Sequence, residues 1–437
     1  MLNVFIRMAW RNIFYSPRKS ALAVLAVGAC YFSLNLFQGY IQGTEVIFND
    51  SYEKRSMFGD LLVKRSGTRH MFSAEEEDLL SKEEQEKLEE YFQKSGDVSV
   101  AVRFLRVNGT LSNGATETVF TGLAIDAPQA LEMRKPEWEW NAIAGTILRN
   151  DSASEILLGQ RLGLLLGCEP TSKEQFITGR GGYQPKVRPF ACANPKLQVA
   201  SSTLKGQANA IELEVVGLVD AMFRDLDLRF QYMPLSAAQR LLDTDRISFF
   251  SLRLKPETNL ESFLTNLNGH LQASQLPIKA LSWKDDEMGE FYRRTMDFLH
   301  LFRNFMVVVI LGVALLSIFN TFFRNVQERT REIGVLRTLG FRLKEIRTLF
   351  LLETLFLALI GVITGGGLAV LTAGVLNRME ILYKVGLLTQ PVPFLVDLSL
   401  FTLSWTFLVV LLVALAAALL PLILSGRKRI TEALAHT

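Results

Sequence analysis

The sequence has few of the residues that catalysis and covalent cross-linking usually need. Its 437 residues include three cysteines and four histidines, and the histidines are scattered without the spacing of metal ligands. The motif GxxxxGK[ST], whose backbone cradles the phosphates of ATP, does not occur, and neither do HExxH or GxSxG. These absences argue against an ATPase, a zinc hydrolase or an esterase site in this chain.

The charge pattern gives no support for nucleic-acid binding. The net charge is +3, no run of five or more Lys and Arg residues occurs, and no zinc-finger or RNP spacing is present. We therefore expect no nucleic-acid partner, no bound metal and no cofactor held by this chain.

Long apolar stretches are what the sequence does have. Apolar residues make up 49% of the chain, and the mean hydropathy is +0.21, which is high for a soluble protein of this size. Four stretches reach the length of about 20 residues that a membrane-spanning helix needs. They are residues 20–41, 305–323, 349–376 and 398–424.

The distribution of Lys and Arg predicts which side of the membrane each connection lies on. Basic residues cluster before the first span, between the second and third, and after the fourth. Because basic residues near spans favour the cytoplasm, we expect residues 1–19, 324–347 and 425–437 inside. Residues 42–304 and the short loop 377–397 are then outside, and both termini are cytoplasmic.

The first 19 residues allow two interpretations. Apolar side chains and arginines alternate along LNVFIRMAWRNIFY, which is typical of an amphipathic helix on the inner leaflet. A basic flank that only orients the first span would have the same composition.

The external segment 42–304 mixes helix and strand patterns. Residues 73–94 predict an acidic surface helix, in which Ser73 with Glu76 and Ser81 with Glu84 are both capping-box patterns. Alternation over 98–125 predicts strands, interrupted by turn signals at Asn108-Gly109 and at 112–114. Further strands are expected at 211–219 and 247–255, and helices at 236–244 and 259–274. The pattern indicates an α+β domain.

Two interruptions in this pattern predict two subdomains, with residues 135–245 inserted. Residues 170–208 are rich in Gly, Pro, Ser and Lys and predict a long loop or a protruding hairpin. Cys168 and Cys192 bracket its first half. Outside the cytoplasm a disulfide between them is plausible, but two separate thiols would give the same sequence.

The cytoplasmic connection 324–347 has more structure in its sequence than a simple basic loop needs. Glutamates alternate with arginines, and Ile333, Leu336 and Leu339 fall on one helix face, with Gly340 as a helix end. An amphipathic helix of this kind is typical of a docking surface for another protein. Glu353, in the first turns of the third span, is either a functional membrane carboxylate or a cap near the cytoplasmic end.

The stretch ERTREIGVLRTLGFRLKEIRTLFLLETLFLALIGVITGG resembles the signature of FtsX-like ABC-transporter permeases, the family of MacB-type and lipoprotein-releasing LolC/LolE permeases. The order of one span, a large external domain and three spans is similar too. VVGLVDAMFRDLDLRFQYMPLSAAQRLL, residues 215–242, and EILLGQRLGLLLGC, residues 155–168, look most like the lipoprotein-releasing branch. That branch has a projecting hook, which recruits a soluble carrier, near the position of 170–208.

The resemblance implies an α-helical membrane protein with four transmembrane helices and a large extracytoplasmic α+β domain, in a bacterial inner membrane. It implies two paired permease chains, the same or homologous, above a cytoplasmic ABC ATPase dimer that binds ATP and Mg. Segment 324–347 would be the coupling helix that docks on the ATPase. The contact residues implied are Glu328, Arg329, Arg331, Glu332, Gly334, Arg337 and Gly340.

Within the family, the expected function is extraction of lipoproteins or lipids from the inner membrane, with a lipoprotein or a periplasmic carrier as partner. MacB-like efflux of peptides or small molecules and FtsX-like activation of a cell-wall hydrolase are the alternatives. A membrane sensor without an ATPase would usually have a cytoplasmic signalling domain, and the cytoplasmic segments here are short.

Overall fold

The structure is a computed structural model that describes most of the chain. The described residues are 2–15, 17–67, 75–135, 138, 142–151, 154–171, 188–328, 338, 340–384, 388–389 and 391–425. They divide into two compact units. One contains residues 1–45, 295–381 and 394–437 and is called the membrane unit below. The other contains residues 46–294 and 382–393 and is called the external unit.

Helices occur throughout the described chain. They are α1 (Leu2–Tyr15), α2 (Pro17–Asp50), α3 (Lys82–Ser95), α4 (Ala127–Arg134), α5 (Gln160–Leu165), α6 (Arg224–Asp227), α7 (Leu235–Leu242), α8 (Leu260–Ala273), α9 (Glu290–Glu328), α10 (Leu343–Arg378) and α11 (Leu400–Ser425). A π-helical turn, Ser51–Arg55, follows α2, and 3₁₀ turns span Glu76–Asp78, Trp283–Asp285 and Glu287–Gly289.

Strands lie almost entirely in the second unit. They are β1 (Leu61–Arg65), β2 (Val98–Ser112), β3 (Glu117–Ile125), β4 (Ala144–Gly145), β5 (Glu155–Gly159), β6 (Cys168–Pro170), β7 (Phe190–Cys192), β8 (Lys196–Ser202), β9 (Ala208–Val219), β10 (Phe230–Pro234), β11 (Phe249–Leu254), β12 (Ile278–Ser282), β13 (Leu382–Tyr383) and β14 (Val392–Pro393).

Four helices among the described residues are long and apolar enough to cross a membrane. They correspond to α2, α9, α10 and α11, which confirms the four apolar stretches in the sequence. Pro17 begins α2, where its missing N–H costs nothing and its fixed φ suits a helix start. The helices are longer than the apolar runs because polar residues continue the helical pattern at the ends.

Ten of the described strands form one mixed sheet, and β6 with β7 and β13 with β14 form two separate two-stranded sheets. The path of the ten-stranded sheet is β12-β1-β11-β2-β3-β10-β5-β9-β4, and β8 pairs with both β2 and β9. The pairings β2–β3–β10–β5–β9–β8–β2 therefore close into a ring of six strands. Within the ring, β3 with β10 and β5 with β9 are parallel and the other pairs are antiparallel. A closed ring leaves fewer exposed strand edges.

The expected division into two subdomains is not seen in the described residues. The 15-residue strand β2 pairs with β11 along its first half and with β8 along its last residues. One apolar core, from Leu61 to Ala280, includes residues from both expected parts. A local sequence pattern does not reveal such pairing, because β8 and β9 join the sheet through partners far away in the chain.

Local signals locate several elements of this unit correctly. Ser81 begins α3 with both bonds of the expected capping box, and Gly96 follows the helix with φ +67°. At the β2–β3 turn, the Asn113 side chain accepts bonds from the N–H groups of Ala115 and Thr116 at 2.9 and 2.7 Å. The turn signal at Asn108-Gly109 is wrong, because Gly109 lies inside β2.

Gly109 has a packing reason instead of a turn. A Cβ at this position would lie 2.0 Å from the carbonyl oxygen of Ala200 in β8. The glycine therefore allows two paired strands to approach, which is the other common use of glycine in a strand.

The stretch 170–208 is partly a hairpin and partly sheet. β6 and β7 are antiparallel arms around residues 172–187, which lie outside the described residues. The next strand, β8, joins the main sheet. The composition pattern predicted the hairpin as one option but missed β8.

Candidate functional site

Most of the predicted ATPase-contact residues lie outside the described residues. Arg329, Arg331, Glu332, Gly334 and Arg337 belong to this group, and Glu328 is the last residue of α9. The contact itself therefore stays a prediction. The structure does describe both ends of the connection, namely the end of α9 and the start of α10.

The start of α10 is defined by two residues close to the predicted contact. Gly340 has φ +94°, a left-handed conformation that glycine adopts without strain and that commonly follows a helix end. The Glu345 carboxylate accepts a bond from the Arg342 N–H at 2.7 Å. Residues 343–350 are the first turns of α10, because no helix-breaking residue separates them from the third span.

The N-terminal helix α1 packs against these first turns of α10. Phe5, Ala9 and Leu349 form a small buried cluster. Phe5 meets Phe341 edge to face, with ring centroids 6.4 Å apart, and Trp10 meets Phe356 at 5.5 Å. The interpretation of residues 1–19 as a mere basic flank is therefore incomplete, because α1 is a packed helix.

The opposite face of α1 is exposed and carries both apolar and basic side chains. Val4, Phe14 and Tyr15 are between 58% and 83% exposed, and Arg7 and Arg11 on the same face are exposed too. Exposed apolar and basic side chains on one helix face are what an interfacial helix needs at the edge of a bilayer.

Glycines bring α2 and α10 into backbone contact. A Cβ on Gly365 would lie 2.3 Å from the carbonyl oxygen of Gly28, and a Cβ on Gly361 would lie 2.8 Å from the Val27 Cβ. Small residues allow this close approach, and packing of this kind holds helices together inside membranes. The interpretation of the GGG run as helix packing is confirmed for Gly365. Gly367 differs, since a Cβ there meets no described atom within 4 Å.

Polar side chains link α2 to α11. The buried Asn35 donates to the Tyr31 carbonyl at 2.7 Å and accepts a bond from the Thr406 hydroxyl at 2.8 Å. The Tyr31 hydroxyl donates to the carbonyl of Leu403 at 2.9 Å. These bonds between helices satisfy polar groups that no water would reach inside a bilayer.

Glu353 lies on the packed face of α10. Its side chain is 6% exposed, and its neighbour Thr354 is buried too. Burial on a helix face makes it part of the packing of this unit, and no catalytic carboxylate cluster surrounds it in the described chain. Among those same residues, no group of three or more His, Cys, Asp or Glu side chains could hold a metal ion.

In the external unit, Cys168 and Cys192 are joined in a disulfide. They are directly opposite each other in the β6–β7 pair. The bond therefore closes the base of the hairpin that carries residues 172–187. Cys30 is a buried free cysteine in α2.

Asp227 is an organising residue that the sequence did not single out. Its carboxylate accepts bonds from the N–H groups of Gln160, Arg161 and Ala221 at 3.2, 2.8 and 3.2 Å. It thereby joins the start of α5 to the loop before α6. Burial raises the pKa of Asp227 to about 6, against these N–H donors, which lower it. A single buried aspartate in a DLD sequence leaves no pattern that predicts this role.

The loop between α10 and α11 contacts the same part of the external unit. The Thr389 N–H donates to the Met222 carbonyl at 3.1 Å, and the Thr389 hydroxyl donates to the Asp220 carboxylate. Leu388 forms a bridge with Phe223. Arg55, in the turn after α2, pairs with Asp220 at 2.9 Å. The Asp220 region thus contacts two connecting segments, the turn that follows α2 and the loop that joins α10 to α11.

Comparison with known proteins identifies the C-terminal part. Residues 304–432 match the family described as FtsX-like permease C-terminal. This part of the chain is therefore similar to FtsX-like permeases. The matched residues run from the second span to the fourth and contain the connection predicted to couple to an ATPase.

Two curated relatives match parts of this permease. One is the pyoverdine export ATP-binding/permease protein PvdT of Pseudomonas fluorescens, 38% identical over 88 residues, which are 20% of this chain and 13% of the relative. The other is the macrolide export ATP-binding/permease protein MacB of Photorhabdus laumondii, 25% identical over 167 residues, which are 38% of this chain and 26% of the relative. The chain thus matches about a quarter or less of the length of these relatives.

A solved structure of the periplasmic region of MacB from Actinobacillus actinomycetemcomitans is also similar in part. It is 12% identical with a TM-score of 0.33, covering 55% of this chain and 92% of that one. The resemblance of the permease to the FtsX/MacB type is confirmed by the family match and the curated relatives. The lipoprotein-releasing branch is not confirmed by them.

Proposed function

We propose that this chain is the transmembrane permease subunit of an ABC transporter, in which ATP hydrolysed in the cytoplasm drives movement of the extracytoplasmic domain. The observation that carries this proposal is the FtsX-like permease match over residues 304–432. The ATP and Mg would be bound by a separate ATPase dimer.

The packing around the α9–α10 connection supports a mechanical role. A force applied to residues 328–340 would reach the start of α10, which α1 holds through Phe5, Ala9 and Leu349. From there the backbone contact at Gly28 and Gly365 would pass the movement to α2. Rigid helices in close contact transmit displacement because packed interfaces do not deform continuously.

A second permease chain is part of the proposal. α9 exposes large apolar side chains along its length, among them Phe298, Leu301, Phe305 and Val313, each at least 60% exposed. A helix so little covered within its own chain has a surface available for a second copy or a homologue, as well as for lipid.

The test of this role is co-purification from a bacterial membrane in mild detergent. We expect an ABC ATPase to be retained by the wild-type chain and lost from Glu332→Lys, because the reversed charge would repel the docking surface. Glu86→Lys is the matched control, since Glu86 is an exposed residue of α3 in the external unit. Normal ATPase retention by the Glu332 variant, or none by the wild type while it stays dimeric, would contradict the proposal.

For the substrate we propose lipoproteins or lipids taken from the outer leaflet of the inner membrane. The external sequence pattern over 155–168 and 215–242 and the hairpin closed by Cys168 and Cys192 support it. Residues 170–208 would contact a soluble periplasmic carrier. Release of labelled lipoprotein from spheroplasts should then require the ATPase and added periplasmic extract.

Efflux of peptides or small molecules is the second candidate. The names of the relatives, a pyoverdine exporter and a macrolide exporter, favour it. Deletion of the gene should in that case raise sensitivity to exported compounds without leaving lipoproteins in the inner membrane.

A further inference from the structure

The external unit contains a cavity of about 630 Å³ that the proposed transport role does not use. Its wall is formed by the turn after α2, the loop from Asp220 into α6, strand β10 and the first turn of α9. All of these residues belong to the external unit. The volume is that of a pocket for a small organic molecule.

The floor of the cavity is aromatic. Tyr52, Phe58, Phe230 and Tyr232 line it and are all buried. Tyr52 is also stacked on the fully buried Trp283, with ring centroids 4.5 Å apart. Aromatic faces carry partial negative charge and attract a cation that approaches them.

One polar group of the floor is unsatisfied. Tyr52 is 3% exposed, and its hydroxyl has no hydrogen-bond partner among the described residues. Buried hydroxyls are usually paired because an unpaired one is costly. An unpaired hydroxyl in the wall of a pocket therefore points to a ligand that would supply the partner.

The rim of the cavity is acidic. Asp220 and Glu290 are neutralised by Arg55 and Arg294 at 2.9 and 2.5 Å. Asp225 and Glu287 also line the cavity, and neither has an ion-pair partner among the described residues. The two pairs cancel, and Asp225 and Glu287 add two further carboxylates beside the aromatic floor, with the charge of the buried Arg106 acting on Glu287.

One wall of the cavity is held in a strained conformation. Met222 has φ +68°, which is rare for a residue with a side chain and commonly marks a functional constraint. Its N–H donates to Asp220 at 2.9 Å, and its carbonyl accepts the Thr389 N–H at 3.1 Å. These bonds keep a flexible, adaptable methionine side chain at the edge of the aromatic floor.

We propose that this cavity binds a hydrophobic cation, a compact organic molecule that combines apolar groups with one positive charge. The aromatic rings would take the apolar part, and Asp225 and Glu287 would attract the charge. This ligand site goes beyond the proposed transport role and does not depend on it, because the residues that line the cavity all belong to the external unit.

The test uses two ions of nearly the same shape and opposite charge, tetraphenylphosphonium and tetraphenylborate. Full-length protein is placed in nanodiscs of zwitterionic lipid, and binding is measured by equilibrium dialysis against protein-free nanodiscs. We expect saturable binding of one phosphonium ion per chain, accompanied by a change in Trp283 fluorescence. Trp283→Phe should abolish the fluorescence change. The borate ion should not compete.

The variant that tests the charge is Asp225→Asn with Glu287→Gln, which keeps side-chain size. Removing two carboxylates near the bound charge should weaken phosphonium binding about tenfold or more. The matched control is Glu83→Gln with Glu86→Gln on α3, which removes the same charge away from the cavity and should leave binding unchanged.

Three outcomes would overturn the proposal. They are no saturable binding above the nanodisc background, equal binding of the two ions, and phosphonium binding that is unchanged in the Asp225 and Glu287 variant. Since both substituted residues are at the rim, wild-type thermal stability of the variant is expected and is checked in the same preparations.

Discussion

The two units of this protein are stabilised by different physics, although one chain passes between them repeatedly. The external unit has a paired sheet around a large apolar core, with buried side chains such as Leu105, Phe250 and Leu252. The membrane unit has straight apolar helices, and its specificity comes from a few glycine contacts and polar bonds. In water, burial of apolar area drives packing, whereas within lipid it gives little preference for one helix contact over another.

This difference determines where single substitutions should have large effects. In the external unit, the constraint is covalent and topological, as in the hairpin closed by Cys168 and Cys192. In the membrane unit, the constraint is the close approach of two helices, which requires that Gly28, Gly361 and Gly365 have no side chain. Loss of the disulfide should therefore lower the stability of the external unit, and replacement of a contact glycine by a larger residue should lower the stability of the membrane unit.

The largest expected effect is loss of the disulfide. Cys168→Ser with Cys192→Ser removes the closure of a 24-residue loop and should lower the free energy of unfolding of the external unit by about 3 kcal/mol. Thermal unfolding in detergent measures it. Cys30→Ser is the control, because it replaces a cysteine that forms no disulfide and leaves the Cys168–Cys192 bond in place. Equal stability of the disulfide variant and the wild type would contradict a covalent contribution to the stability of the external unit.

The next effect concerns the glycine contact. Gly365→Ala places a Cβ against the Gly28 carbonyl and should cost about 1–3 kcal/mol by overpacking, seen as a lower midpoint in thermal size-exclusion. Gly367→Ala, two residues away, meets no described atom within 4 Å and should be neutral or slightly stabilising, because alanine favours helix. Equal behaviour of the two variants would remove the argument for a backbone contact.

The polar link between α2 and α11 should have a smaller effect. Asn35→Leu loses the bond from Thr406 and leaves that hydroxyl only with carbonyls of its own helix, at a cost of about 1 kcal/mol. Ser404→Ala is the control, because Ser404 is exposed and bonds only to Leu400 of its own helix. If the Ser404 variant were as unstable as the Asn35 variant, the hydrogen bond between α2 and α11 would contribute no more to stability than a bond within one helix.

The smallest effect is a pH dependence of the external unit. Because the folded pKa of Asp227 is raised to about 6 from 3.8, the folded state takes up a proton that the unfolded state does not between those values. Stability relative to Asp227→Asn should therefore rise by on the order of 1 kcal/mol from pH 7 to pH 5. Thermal unfolding at both pH values measures it, with Asp285→Asn as the background. No change in the difference between wild type and the Asp227 variant would contradict the burial of this charge.

The sequence predicts the membrane unit better than the external one for a physical reason. A spanning helix satisfies its own backbone, so a run such as 398–424 determines its structure locally. The external sheet depends on partners distant in sequence, and β8 gave no sign that it would pair with both β2 and β9. The sequence predicts the capping role of Ser81 because both bonds of the capping box join Ser81 to Glu84, three residues away in the chain.

The candidate site divides in the same way. The charged connection after α9 stood out in the sequence because helix periodicity and glycine are local signals. The packing of α1 on α10 and the role of Asp227 did not, since they depend on Phe341, Gln160 and Ala221, which the chain brings together from elsewhere. The acidic aromatic cavity also depends on residues distant in sequence, because its walls come from five separate segments of the chain.

The most direct test of the central claim is hydrogen–deuterium exchange on this protein in complex with the ABC ATPase that we propose as its partner, with and without ATP and vanadate. The account predicts that trapping nucleotide in the cytoplasm changes protection at the external residues 382–393 and 220–226, and that Glu332→Lys abolishes this change. Changes confined to the cytoplasmic segment 324–347, with external protection the same in both states, would contradict coupling between ATP hydrolysis and the external domain.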